Sequence, residues 1–257
     1  MNFLIGYGGA LIIAIFAYVF RSLSKSGAVA AVIIGGTIFA FGGYSASLLL
    51  IVFFISGSLL SRLNEKHAGA RNWRQVSANG IVPMFAILLL YLRHDLRPEA
   101  TLLYLGALAT ATADTWATEI GMRYGGTVHN ILSFSKMKKG LSGGVTLVGI
   151  AASLGGALLI SLLSMISIGS DEGLCGLIFV PVWLVIPIAG LCGSLIDSVV
   201  GAAFQAKFML VSGEIVEENH RYHSELASGI KWLGNNATNL IATTLGALLA
   251  VGIANWF

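Results

Sequence analysis

Apolar residues along this chain gather into eight runs separated by shorter polar stretches: Phe3–Phe20, Ala28–Phe41, Ala46–Leu60, Val76–Leu92, Thr101–Ile120, Gly144–Ile168, Leu177–Ala203 and Trp232–Trp256. An α-helix needs about 20 such residues to cross the hydrocarbon of a bilayer. The second and third runs are short, which suits tilted, re-entrant or bundle-enclosed helices. Gly42-Gly43-Tyr44 between them reads as a tight turn. The pattern predicts an all-α, polytopic transmembrane bundle of about eight segments, some short or broken, forming one domain over residues 1–257.

Composition strengthens that reading. Hydrophobic residues are 56% of the chain, charged residues 11%, and the mean hydropathy is +0.84. Soluble domains carry about 25% charged residues. A soluble fold of this length has no core large enough for so much apolar surface, whereas a bilayer solvates it. The first run is too long for the apolar region of a signal peptide and lacks a small-residue cleavage site, so it is expected to stay as a span. Cys175 and Cys192 lie in or beside apolar segments without metal-ligand spacing, and read as small apolar residues.

Charge sets the expected orientation. With eight spans, the loops on one side carry Arg21, Lys25, Arg62, Lys66, Arg71, Arg74, Arg123, Lys136, Lys138, Lys139, Lys207, Arg221 and Lys231; the other side carries only Arg93 and Arg97. Cytoplasmic loops are the ones enriched in Lys and Arg. Both termini are therefore expected outside, and the long loops, 121–143 and 205–231, in the cytoplasm.

Within the spans, acids stand out. The fifth run ends Ala113-Asp114-Thr115-Trp116-Ala117-Thr118-Glu119-Ile120-Gly121. A carboxylate inside a membrane is costly and marks a functional site by default. The small residues and threonines of 106–112 allow close backbone approach. Asp114 and Glu119 are five apart, about 140° around a helix, so they share one ion only if the helix ends near Glu119. The seventh run carries Asp197, in Gly193-Ser194-Leu195-Ile196-Asp197-Ser198, again near the cytoplasmic end. Two acids at one depth suit a magnesium–phosphate site, since magnesium takes one or two carboxylates plus phosphate oxygens and water. A proton or cation relay is the other chemistry they suit.

Between these acids lies Ser135-Lys136-Met137-Lys138-Lys139-Gly140-Leu141-Ser142-Gly143-Gly144-Val145-Thr146. Cations beside glycines, with hydroxyls leading into a helix, suit a phosphate held by backbone N–H groups and a helix N-terminus. Lys138 and Lys139 would supply charge to a transferring or leaving phosphate. The spacing is not that of a Walker A loop. Arg71, Arg74, Gln75 and Asn79 enter the fourth run, and Asn236 and Asn239 the eighth. Asparagines at such depths need partners: either they tie helices together or they hold a base, a sugar or a head group. His220 and His223 read as solvated loop histidines.

These motifs resemble a family of largely uncharacterised membrane proteins that includes the phytyl-phosphate kinases of plastids and cyanobacteria. The resemblance spans nearly the whole chain. It rests on Ser26-Gly27-Ala28 with Gly35, Arg71-Asn72 with Gln75 and Ala78-Asn79-Gly80, the Asp114 motif, Ser142-Gly143-Gly144-Val145-Thr146, Asp197-Ser198 with Gly201-Ala202, and Asn235-Asn236 with Asn239. The order Ala113-Asp114, Lys138-Lys139, Ser142-Gly143 is also remotely similar to CTP-dependent phytol and dolichol kinases. CDP-diacylglycerol synthases share part of it, but this chain lacks their Lys-Asp pair and Asp-Arg-x-Asp ending, which counts against nucleotidyl transfer.

The resemblance implies phosphoryl transfer from CTP or another nucleoside triphosphate to a prenyl monophosphate such as phytyl phosphate. It places Asp114 and Asp197 on Mg2+ with Glu119 in support. Lys138, Lys139, Ser142, Gly143 and Gly144 would bind phosphates. Arg71, Arg74, Gln75, Asn79, Asn236 and Asn239 would bind lipid phosphate or nucleotide. The expected partners are the bilayer and a prenyl phosphate, with no nucleic acid; oligomeric state is left open. The rival expectation is a transporter or flippase for a small anionic or lipid substrate, since buried acids and short helices also suit alternating access.

Overall fold

A computed structural model describes residues 3–64, 69–167, 181–217 and 224–257. Among them are seven α-helices: α1 (Phe3–Val19), α2 (Lys25–Leu63), α3 (Trp73–Leu92), α4 (Arg97–Tyr124), α5 (Leu147–Ser167), α6 (Val182–Ala203) and α7 (Asn235–Ala254). A 3-10 turn, His94–Leu96, links α3 to α4. By length and composition α2, α3, α5, α6 and α7 are each able to cross a membrane.

α2 contains a reversal. As one straight rod its 39 residues would reach about 58 Å. Yet Arg62 near its end donates to the Phe20 carbonyl at 2.8 Å, and Ser24 N–H, just before its start, donates to the Arg71 carbonyl at 3.0 Å. The chain folds back at Gly43, whose φ of 72° and ψ of −163° suit only glycine. The two short apolar runs of the sequence are the arms of this helical hairpin. Counting the arms separately gives eight helical segments.

The path then alternates regularly. The described parts of the connections, 20–24, 64 with 69–72, 125–146, and 204–217 with 224–234, meet at one end of the bundle, and residues 93–96 lie at the other with the Gly43 reversal. At the first end Arg123 donates to the Leu63 carbonyl, Asn64 Nδ2 to the Glu119 carbonyl at 2.8 Å, and Ala206 N–H to the Leu233 carbonyl at 2.9 Å. The described residues of the basic set from the charge count all sit at this polar end or in its connections.

α4 is the central helix. It packs on α2, α3, α5, α6 and α7, and Ala100–Leu102 and Tyr104–Ala113 are buried. Such enclosure explains why its small and hydroxyl-bearing residues are tolerated at membrane depth. The packing is backbone against backbone. Gly106 rests on Gly246 and Ala247, Gly190 on Ala109, and Gly156 on Thr112 and Ala113. Thr110 is wedged between Gly193 of α6 and Gly246 of α7; a Cβ on these glycines would lie 2.2 Å and 1.9 Å from its hydroxyl. Gly246→Ala is therefore expected to lower stability by about 1–3 kcal/mol, read as a reduced melting temperature in detergent.

The chain is not wholly helical. The polar connections form two small antiparallel sheets that the all-α expectation did not include. One has the order β2 (Lys136–Met137), β1 (Val128–Asn130), β3 (Gly144–Val145); the other has the order β5 (Ile215–Val216), β4 (Lys207–Leu210), β6 (Ser224–Ser228). Backbone groups leaving a helix must find partners, and these loops find them in one another. One consequence corrects the sequence reading: Gly144-Val145 is a strand, and α5 starts at Leu147.

Candidate functional site

The Thr110 wedge fixes the depth of the acids. Asp114 lies one turn beyond Thr110 on α4, and Asp197 one turn beyond Gly193 on α6. Both are thereby carried about 6 Å toward the polar end from a shared contact level. There each is half-buried, and the charges of Asp114 and Glu217 both bear on Asp197. Asn239, two turns from Gly246 on α7, completes the group. With its amide nitrogen toward α6 it donates to Asp197 Oδ1 at 3.2 Å and to the Asn235 carbonyl at 2.9 Å. Three helices thus contribute to one polar cluster. Among the described residues neither aspartate is paired with a cationic side chain.

The Ser142 turn docks on the last turn of α6. Gly143 has φ +85°, and a Cβ there would fall 2.4–2.8 Å from Ala202; a Cβ on Gly201 would lie 3.0 Å from that of Ser142. Ser142 is held from across the fold. Its N–H donates to Glu217 Oε1 and its hydroxyl to Glu217 Oε2 at 2.9 Å. Gln205 Nε2 donates to the same Oε2 at 2.8 Å, while Gln205 Oε1 accepts from the Thr238 hydroxyl at 3.2 Å. Gln205 and Thr238 are buried. The donors of the Ser142 turn thus hold an internal carboxylate, that of Glu217. The turn is not at a helix end, because Thr146 Oγ1 accepts from Gly149 N–H at 2.9 Å and caps α5 itself.

Other expected ligands go elsewhere. α4 continues unbroken to Tyr124, so Glu119 stays on a different face from Asp114. Its Oε1 accepts from the Ser61 hydroxyl at 2.5 Å and its Oε2 from Asn64 Nδ2 at 2.7 Å. Arg71 joins this knot, 3.5 Å from Ser61 Oγ and 6.0 Å over the Phe54 ring. Burial lowers the Arg71 pKa and the charge of Glu119 opposes that shift. The knot ties the second arm of α2, the connection into α3 and α4 together. Glu119→Gln is expected to cost about 1–3 kcal/mol of stability, by weakening charged hydrogen bonds, with substrate affinity unchanged; thermal denaturation beside a binding assay separates the two.

Arg74 is exposed and stacks 5.5 Å over Trp73. Gln75 completes a capping box with Asn72 at the start of α3. Asn79 donates to the Gln75 carbonyl at 3.4 Å. Lys138 pairs with Glu214 on the surface, pulling that carboxyl below its usual range. Lys139 donates to the Met122 carbonyl at 3.4 Å. Asn236 is half-buried in the first turn of α7. Cys192 is a half-buried free thiol. Cys175, His220 and His223 lie outside the described residues. Glu217, Gln205 and Thr238 were absent from the expected set: Glu217 meets Ser142 across 75 residues, a pairing with no local signal.

Comparison with known proteins agrees with the membrane architecture. Over residues 8–247 the chain matches the family model described as integral membrane protein DUF92. It is 31% identical to Protein PGR of Arabidopsis thaliana, covering 93% of this chain and 91% of that protein. It is 32% identical to an uncharacterized membrane protein of Methanocaldococcus jannaschii, covering 90% and 85%. To Protein VTE6, chloroplastic, of Arabidopsis thaliana it is 26% identical, covering 89% of this chain and 64% of that one. No solved structure matches. The chain belongs to the DUF92 family of integral membrane proteins.

Proposed function

We propose that this protein is a prenyl-phosphate kinase whose site opens at the cytoplasmic face, transferring the γ-phosphoryl group of a nucleoside triphosphate to a prenyl monophosphate. The observation that carries the reading is the convergence of Asp114, Asp197 and Asn239 from three helices beside the Ser142 turn. In this reading a polar head group reaches the cluster from the polar end while its chain remains among apolar helices. The resemblance of the Asp114 and Ser142 motifs to phytyl-phosphate kinases supports the same chemistry.

A phosphate oxygen of the acceptor attacks the γ-phosphorus, the bond from that phosphorus to the β,γ-bridging oxygen breaks, and the nucleoside diphosphate leaves with that oxygen. The acceptor is already ionised, so the protein needs to align the reactants and offset their charge rather than remove a proton. The donor set suits a hard cation: two carboxylates within charge range of one another and, among the described residues, without a basic partner. Among the described residues no three His, Cys, Asp or Glu side chains form a ligand group, so the remaining positions fall to phosphate oxygens and water, as magnesium prefers. Asp114 and Asp197 would hold Mg2+, which supplies charge neutralisation to the phosphates. Asn239 orients Asp197, and the Ser142 turn stands beside them with its N–H and hydroxyl on Glu217.

The test is reconstitution of the purified protein in liposomes with prenyl phosphates and ATP, CTP, GTP or UTP, with and without magnesium. The expected result is prenyl diphosphate formed with one or more nucleotides and only with the metal. Vectorial flux of substrate without nucleotide turnover would overturn the reading in favour of a transporter.

A further inference from the structure

The Ser142 turn and Gln205 form a three-donor oxyanion cradle: one backbone N–H, one hydroxyl and one amide, all directed at a single carboxylate, that of Glu217. We propose that this cradle is the receiving site for a phosphate group of substrate or product, and that Glu217 occupies it as an exchangeable internal ligand. The inference rests on the functional reading above and adds to it a competing residue.

Its chemistry supports exchange over a fixed structural bond. The donors are neutral, and no basic side chain pairs with Glu217 among the described residues. Glu217 also stands within charge range of Asp197, so its carboxylate is held beside another acid. By contrast Glu214, on the same hairpin, pairs with Lys138. The cradle itself is set independently of Glu217. Ser142 and Gly143 are seated on Gly201 and Ala202, and Gln205 is anchored by Thr238 and by pairing of its backbone segment with Ile230. Removal of the carboxylate therefore leaves the donors in place. A phosphate presents more acceptor oxygens and more charge to the same donors, and Gly201, on which Ser142 is seated, is one helical turn from Asp197.

The experiment measures binding of inorganic diphosphate to the purified full chain in detergent by calorimetry. Glu217→Ala is expected to tighten binding by about tenfold, because the internal competitor is gone. Glu217→Gln, which keeps an acceptor for Ser142, is expected to give a smaller gain in the same direction. Ser142→Ala is expected to weaken binding. Glu225→Gln removes one charge from the neighbouring exposed strand and controls for a general electrostatic effect. Unchanged or weaker binding in both Glu217 variants at an unaltered melting temperature would overturn the proposal, as would an equal gain in Glu225→Gln. Diphosphate binding that follows the expected order in a protein without kinase activity would retain the cradle and remove the kinase reading; prenyl diphosphate formation without these binding changes would do the reverse.

Discussion

Asp114→Asn is expected to reduce prenyl-phosphate phosphorylation by about a thousandfold while the protein keeps its melting temperature. The side chains are nearly isosteric, so the Thr110 packing one turn away is undisturbed. What is lost is a full negative charge from the pair that faces the phosphates. Electrostatic groups of this kind are each worth about 10²–10³ in rate. Asp197→Asn is expected to give a loss of similar size, and the double variant little more than either alone, because the two carboxylates act on one ion. Removing one acid relieves the repulsion between the two, so stability without metal is expected to hold or rise. Turnover assays beside thermal denaturation, both with and without Mg2+, check this. A double variant whose losses multiply would show that the acids serve separate tasks.

Gly143→Ala is expected to have the second largest effect. It meets two obstacles together: a φ of +85° and a Cβ 2.4–2.8 Å from the Cβ, Cα and N of Ala202. Either obstacle alone costs about 1 kcal/mol or more. The clash is with main chain, so the turn has to lift from α6. Ser142 then leaves Glu217 and the cradle is displaced from Asp197. The expected outcome is a loss of activity of at least about a hundredfold, with global unfolding shifted far less, since α4 to α7 are packed elsewhere. Gly140→Ala is the comparison: its φ is +90°, but the nearest atom, Met122 Cε, is 3.7 Å away. It carries strain without collision, and turnover is expected to fall only slightly.

Much of this arrangement was readable from local pattern. Eight apolar runs and a glycine pair correspond to seven helices with a hairpin at Gly43, because hydrocarbon thickness and the conformational freedom of glycine act locally. The depth of Asp114 and Asp197 followed from their positions near the ends of their runs. Their meeting depended on Thr110, Gly193 and Gly246, three small contacts on three helices whose alignment no single run displays. The five-residue offset of Asp114 and Glu119 already argued against a shared ion, and the intact helix makes that separation real. Asn72 and Gln75 carry a capping-box spacing, and the cap is what the Gln75 side chain does.

Long-range pairing hid the rest. Glu217 reaches Ser142 over 75 residues, and Ser61 and Asn64 reach Glu119 over 58 and 55. Lys138 looked like a phosphate ligand from its neighbours Gly140 and Ser142. Just beyond β2, it pairs instead with Glu214 on the surface of the loop layer. The glycine-rich stretch was expected to run straight into a helix. Pairing of Gly144 and Val145 with β1 places a strand between the Ser142 turn and α5.

Substituting Mn2+ for Mg2+ and following the 31P relaxation of a bound prenyl phosphate tests most directly whether Asp114, Asp197 and the Ser142 turn make one cation–phosphate site. Strong paramagnetic enhancement in the native protein, abolished in the Asp114→Asn/Asp197→Asn double variant but retained in Glu119→Gln, is the expected result. Enhancement that persists undiminished in the double variant, with the lipid still bound, would contradict it.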